Sequence, residues 1–316
     1  MNRFASLIAA SLVVLSVAGC AAGTEKSNSQ RQTVPVAQYD LKSTAFFDGF
    51  TPAKLRAADP CALLHATDLA KYGAPASDTP GELGSCSNFM KDHGGKPFNI
   101  TLYLQSEAFD VSQHRIGGLP ASISADGNPC FVQVAYQGSQ GLLSEPQAMQ
   151  LQLDTKAGDP CSPAVQIMTD VVEKLRANPP IANRSPAELA GIDPCTMLDP
   201  VAVRDALGGA TADPTPRGLH DCGWTAANDV NVDVKFSSME PRAEGLPPAD
   251  LGGVMASVIP SSGFCTVEWE HRRRPGSING IETVQLTVNN PNNVPMDPCA
   301  NAVNAARGVK AKLPRG

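Results

Sequence analysis

"AADPCALL", residues 57–64, carries the tripeptide Asp59-Pro60-Cys61. The same tripeptide returns at Asp159-Pro160-Cys161, Asp193-Pro194-Cys195 and Asp297-Pro298-Cys299. An Asp just ahead of a helix accepts a hydrogen bond from a free N–H of the first turn. A Pro at the first helical position loses nothing by lacking its own N–H. Asp-Pro before an apolar periodic stretch therefore predicts a helix start. Val165, Met168, Val172 and Leu175 follow Cys161, and Val303, Ala306, Val309 and Leu313 follow Cys299, at spacings that place one helix face in a core. Cys61-Ala62-Leu63-Leu64 and Cys195-Thr196-Met197-Leu198 predict shorter helices begun in the same way.

Between these helices the period changes to two. Val230, Val232, Val234 and Phe236 alternate with Asn231, Asp233 and Lys235; Val284, Leu286 and Val288 alternate with Gln285 and Thr287. In the first half Ile100, Leu102 and Leu104 do the same, as do Met149, Leu151 and Leu153. One polar face and one apolar face predict an antiparallel sheet covered on one side.

The cysteines give the larger organisation. Cys61, Cys86, Cys130 and Cys161 recur as Cys195, Cys222, Cys265 and Cys299, at offsets of 134, 136, 135 and 138 residues. Gly117-Gly118-Leu119-Pro120-Ala121-Ser122 aligns with Gly252-Gly253-Val254-Met255-Ala256-Ser257. A fixed offset shared by cysteines and their neighbours reads as a tandem duplication. The expected fold class is α+β, with two tandem copies of a helix-β-β-β-β-helix module, each an antiparallel sheet stapled by disulfides. The copies span 51–178 and 191–316, joined by a linker at 179–190. Long loops at about 107–128 and 237–262 separate the second and third strands.

Neighbouring cysteines within a copy lie 25 to 44 residues apart. Structural zinc wants close Cys-x-x-Cys pairs, so disulfides are the better reading and no metal or cofactor is assigned. In an antiparallel hairpin the start of one strand lies beside the end of the next. Cys130 starts a third strand, and the fourth ends shortly before Cys161; the same holds for Cys265 and Cys299. The expected pairs are Cys130–Cys161 and Cys265–Cys299, leaving Cys61–Cys86 and Cys195–Cys222.

The chain opens "MNRFASLIAASLVVLSVAGC". An Arg precedes an apolar run too short for a membrane span but suited to a signal-peptide core. Val17-Ala18-Gly19-Cys20 resembles the bacterial lipobox. That resemblance implies a signal peptide over 1–19, lipid on the Cys20 thiol and a body held at the outer leaflet of the cell membrane. Residues 20–50 then read as the lipidated cysteine and a flexible tether. Formal net charge is -6 for the whole chain, with both signs interspersed, so no nucleic-acid partner is expected. The dense run His271-Arg272-Arg273-Arg274, ahead of Pro275-Gly276, reads as a solvated charged loop between strands, with an anion or headgroup contact as the alternative.

Taken together, these motifs resemble the secreted actinobacterial lipoproteins of domain of unknown function 3558. The residues that carry the resemblance are Asp59-Pro60-Cys61-Ala62-Leu63-Leu64, Cys222-Gly223-Trp224, Gly118-Leu119-Pro120-Ala121 and the later Asp-Pro-Cys helices. The chain departs from that pattern in having two copies. It also has Cys86-Ser87-Asn88-Phe89 where the first copy would show Cys-x-Trp, and Val254-Met255-Ala256 where the second would show a proline. The resemblance implies an extracytoplasmic compartment and supplies no catalytic residue. The extracellular sensor domain of mycobacterial kinases has a similar cysteine layout, which implies ligand or partner sensing by analogy.

Five histidines, His65, His93, His114, His220 and His271, stand in none of the hydrolase or metalloprotease frames. His65 lies on a helix near Asp68, and Trp224 and Trp269 read as strand residues of the core. The expected function is a noncatalytic cell-envelope lipoprotein that binds an unknown envelope protein, lipid or cell-wall ligand. The alternative is a structural subunit of an envelope complex; an envelope hydrolase would need a cleft holding a perturbed carboxylate or histidine.

Overall fold

The computed structural model describes residues 39, 41, 45–47 and 49–315, apart from 77, 82, 108, 112, 126–127, 139–145, 156–157, 243–244 and 275–279. The expected signal peptide, Cys20 and most of the expected tether lie outside the described residues. Among the described residues no helix is long and apolar enough to cross a membrane.

All four Asp-Pro-Cys aspartates cap the N–H of their own cysteine, at 2.9 Å for Asp59, Asp159 and Asp297 and 3.0 Å for Asp193. In the first half α1 (Pro52–Ala57) and α2 (Pro60–Ala66) precede the strands and α3 (Cys161–Arg176) follows them. In the second half α4 (Pro200–Ala206) precedes and α5 (Pro298–Lys312) follows. One expectation is corrected here. Cys195 opens only a 3-10 turn, Pro194–Thr196, and the helix begins afresh at a further Asp-Pro, where Asp199 caps Val201 and Ala202. Pro200 explains the break: the residue ahead of a proline is pushed out of helical conformation, so no helix runs from Cys195 through Asp199.

Each half holds one antiparallel sheet of seven strands rather than four. The first runs β1-β2-β3-β7-β6-β5-β4, from β1 (Asp78–Pro80), β2 (Ser85–Lys91), β3 (Pro97–Glu107), β4 (His114–Ile116), β5 (Leu119–Ala125), β6 (Cys130–Gln137) and β7 (Gln147–Thr155). The second repeats that order as β8-β9-β10-β14-β13-β12-β11, from β8 (Pro214–Pro216), β9 (Asp221–Thr225), β10 (Asn231–Ser237), β11 (Pro248–Asp250), β12 (Met255–Ser261), β13 (Phe264–Arg273) and β14 (Ile281–Asn289). The expected long loops thus each contain two strands. These strands are short and several carry proline, so the alternation that marks a strand is not there to be read. Gly117 and Gly118, both at positive φ, turn β4 into β5. A side chain at Gly117 would meet Val172 of α3 at 2.7 Å.

The helices cover one face of each sheet. Ile167, Met168, Val171 and Val172 of α3 are buried against the apolar face of β6 and β7, and Ala302, Ala306 and Val309 of α5 against β13 and β14. Trp224 and Trp269 are buried in the second core. Four disulfides, Cys61–Cys86, Cys130–Cys161, Cys195–Cys222 and Cys265–Cys299, each tie a strand to the Asp-Pro-Cys segment of the same half.

The described residues form a single compact unit. Leu83, three residues before Cys86, is buried in the core of the second half, and Leu219, three residues before Cys222, in the core of the first. The linker is welded down rather than free. Ala58 and Ile181 make a β-bridge, Asp59 N–H donates to Pro180 O at 2.8 Å, and Arg184 donates to Ala58 O at 2.8 Å and to Arg56 O.

Candidate functional site

Between the halves lies a groove of about 470 Å³. Its walls come from three places: Asp59, Cys61 and Ser85 of the first half, Arg184 and Glu188 of the linker, and Arg272, Arg273 and Arg274 at the end of β13. No segment alone contains the site, so sequence reading reached only one wall of it, as the alternative for the His271–Arg274 run.

The run His271–Arg274 is therefore corrected from a solvated loop. His271, Arg272 and Arg273 are the last residues of β13, and Arg272 and Arg274 are only 16% and 14% exposed. Their partner is Glu282 on the neighbouring β14, 0% exposed. Arg272 donates to Glu282 Oε2 at 2.9 Å and pairs with Glu188 at 3.3 Å; Arg274 pairs with Glu282 Oε1 at 3.3 Å. Glu282 Oε2 also accepts from Leu189 N–H at 3.1 Å, and Arg274 donates across to Gly81 O of the first half at 2.6 Å. A bulge between Glu270 and Arg272 changes the strand's phase just where the run begins. A cationic run reads as solvated until its cross-strand acid is placed beside it.

Arg184 differs from its neighbours. It meets backbone carbonyls, and among the described residues no carboxylate lies within ion-pair distance of it. Burial lowers its pKa from the ordinary arginine value, with Glu188 and Asp59 acting in the opposite sense. It remains a guanidinium, since arginine does not deprotonate in proteins. Arg273 is 65% exposed and reaches Glu270 at 2.8 Å.

The histidines are accounted for one by one. His65 contacts Asp78 rather than Asp68 and is 58% exposed. His93 reaches Lys71 O at 3.1 Å, and His114 lies in β4. His271 reaches Ala187 O at 2.9 Å, its pKa lowered by burial. His220 is buried at the junction, its ring nitrogens 3.2 Å from Gln105 Oε1 of the first half and 3.2 Å from Ala190 O. Burial, with the charges of Arg56 and Arg184, pushes its pKa down to about 4. Close by, burial raises Asp221 and brings Asp233 up to about 6, although Arg217 sits 2.7 Å from Asp233. Neither carboxylate lines the groove.

No protein family, no curated protein and no solved structure matches this chain.

Proposed function

We propose that this chain is a lipid-anchored binding protein of the outer face of the cell membrane, without a catalytic role, and that the groove between its halves receives an anionic ligand. The observation that carries this reading is the convergence of four guanidinium groups on one groove, with Arg184 answered, among the described residues, by backbone carbonyls. Guanidinium groups bind carboxylates and phosphates through paired N–H donors. The lipobox motif at Val17–Cys20 supports the anchored compartment, and the intramolecular disulfides fit an oxidising one. The finer reading, two copies of one module related to the lipoproteins of domain of unknown function 3558, draws support from the shared strand order and cysteine offsets. Histidines bound to carbonyls, amides and a carboxylate fit a noncatalytic role.

The test is thermal denaturation and calorimetry of the full chain with inorganic phosphate and, separately, vesicles with and without anionic lipid. Phosphate should raise the melting temperature of the native protein and do so less in Arg273→Ala, whose exposed side chain is dispensable for folding. No shift with either probe, or an equal shift in Arg273→Ala, sinks the anion reading.

A further inference from the structure

A second cavity, of about 420 Å³, is built by the first half alone. Its floor is made by side chains that alternate with the core residues Val132, Val134 and Leu151, so they stand on the face of the sheet opposite α3. There Ser122 pairs across the strands with Gln133 and Gln133 with Gln150, and in the next row Ser124 pairs with Phe131. The segment between β3 and β4 supplies the other wall, with Phe109 and Asp110. Gln133 is 9% exposed and spends its whole amide on fixing this arrangement. Its Oε1 accepts from Phe109 N–H and Ser122 Oγ, each at 3.2 Å, and its Nε2 donates to Glu107 O at 2.7 Å and Gln150 Oε1 at 2.9 Å. Gln150 Oε1 accepts a second bond, from Ser106 Oγ at 3.2 Å. That fills the oxygen and sets the amide's orientation, which leaves Gln150 Nε2 with two N–H donors and, among the described residues, no partner.

The chemistry of the lining selects the ligand. Phe109, 59% exposed, and half-buried Phe131 offer ring surface to an apolar face. Gln150 Nε2 donates, the Asp110 carboxylate accepts, and Ser124 and His114 do either. A pyranose ring matches this set, with C–H groups on one face and hydroxyls that both donate and accept around its rim. Among the described residues no Lys or Arg lines the cavity, so a phosphate or an acidic peptide would meet no counter-charge. Strands β6 and β7 are interior, paired on both sides, so an extended peptide cannot add to them through its backbone. The volume lies within the range of about 300–1,000 Å³ usual for small-molecule sites. We infer that this cavity binds a short neutral saccharide, its ring face against Phe109 and Phe131 and its hydroxyls on Gln150, Ser124 and Asp110.

The second half is an internal control. At an offset of 135 residues Ser257, Glu268 and Gln285 stand where Ser122, Gln133 and Gln150 do, and they pair across the strands in the same way. The amide at the centre has become a carboxylate, and Arg242 closes on it: Arg242 Nη2 lies 2.7 Å from Glu268 Oε1, and Arg242 N–H donates to Oε2 at 3.1 Å. Gln285 Nε2 is spent on Glu268 Oε1 at 2.7 Å, so the donor left open in the first half is used up. Thr266 replaces Phe131 and bonds to Thr287 at 2.9 Å. Ring and free amide are therefore both lost, and saccharide binding belongs to the first half. This inference is independent of the anion reading, which rests on a different set of residues.

The experiment is saturation-transfer difference NMR of the full chain with maltose, cellobiose, mannobiose and diacetylchitobiose as probes. At least one disaccharide should receive saturation, strongest on the ring protons that pack against phenylalanine. Phe109→Ala should weaken its binding by about tenfold, and Ser124→Arg, which fills the cavity, should abolish it. Both positions are exposed, so an unchanged melting temperature checks that each variant is folded. Arg242→Ala in the second half should bind as the native protein does, and inorganic phosphate should not displace the sugar. Three results would overturn the proposal: no saturation transfer to any of the disaccharides, the same affinity in folded Phe109→Ala and Ser124→Arg, or displacement of the sugar by phosphate.

Discussion

Leu83 and Leu219 occupy equivalent places in the two halves, and each is buried in the other half's core. The exchange is reciprocal, as at a two-fold interface between identical subunits, where the same patch serves both sides. Gly84 and His220, the next residues, also face each other, a Cβ at Gly84 standing 3.7 Å from the His220 ring.

Truncating either leucine leaves a cavity in a core that belongs to the opposite half. Leu219→Ala should cost roughly 2–5 kcal/mol, and Leu83→Ala should fall at the lower end because Leu83 is 8% exposed. The double variant should also split one denaturation transition into two, read by differential scanning calorimetry. A single unshifted transition would contradict the exchange.

The junction should show opposed pH effects. His220 is held near pKa 4, below its usual 6.5, so the unfolded chain takes up its proton first as pH falls, and the stability it contributes is lost between about 6.5 and 4. Asp233 is raised from 3.8 to about 6, so the folded form holds its proton more tightly, and the stability it contributes is lost as pH rises from about 4 to 6. At about 1.4 kcal/mol per unit the two contributions are each on the order of 3 kcal/mol and largely offset each other. Urea denaturation at pH 4 and pH 6.5 should therefore show His220→Gln gaining stability on acidification and Asp233→Asn losing more than the native protein does.

Glu282 is buried between two arginines and a backbone N–H, and Arg273–Glu270 is an exposed pair on the same strand end. Glu282→Ala leaves two half-buried guanidinium groups without their acid and should destabilise by about 3 kcal/mol. Arg273→Ala should change stability by about 0.5 kcal/mol or less. Equal effects in chemical denaturation would mean that the buried network does not hold the linker.

Peptide mapping of the non-reduced protein should return four bridges, each within one half. Removing Cys130–Cys161, which closes a loop of 31 residues, should cost about 2–4 kcal/mol in the same denaturation assay.

The sequence was most readable where a local rule decides the outcome. Asp-Pro fixes a cap whatever lies around it, and the pairing of Cys130 with Cys161 follows from the hairpin: Cys130 lies opposite Leu153, eight residues ahead of its partner. It was least readable where the deciding partner is distant in sequence. Arg272 and Arg274 are half-buried because of Glu282, and Leu83 and Leu219 look like any core leucine until the halves are set together. Likewise β4 and β5 hid in a loop because Pro120, the glycine turn and serines leave no alternation. The groove drew on three separated segments and could not be read from any one.

The short outermost strands have a consequence at a crowded surface. Pro80 of β1, Pro214 and Pro216 of β8, and Pro248 of β11 remove backbone donors from three of the four sheet margins. A neighbouring chain therefore meets a broken row of hydrogen-bond donors there and cannot zip on as an eighth strand. Copies packed side by side would thus be kept from polymerising through these margins, at densities where an unguarded β-margin invites amyloid-like growth.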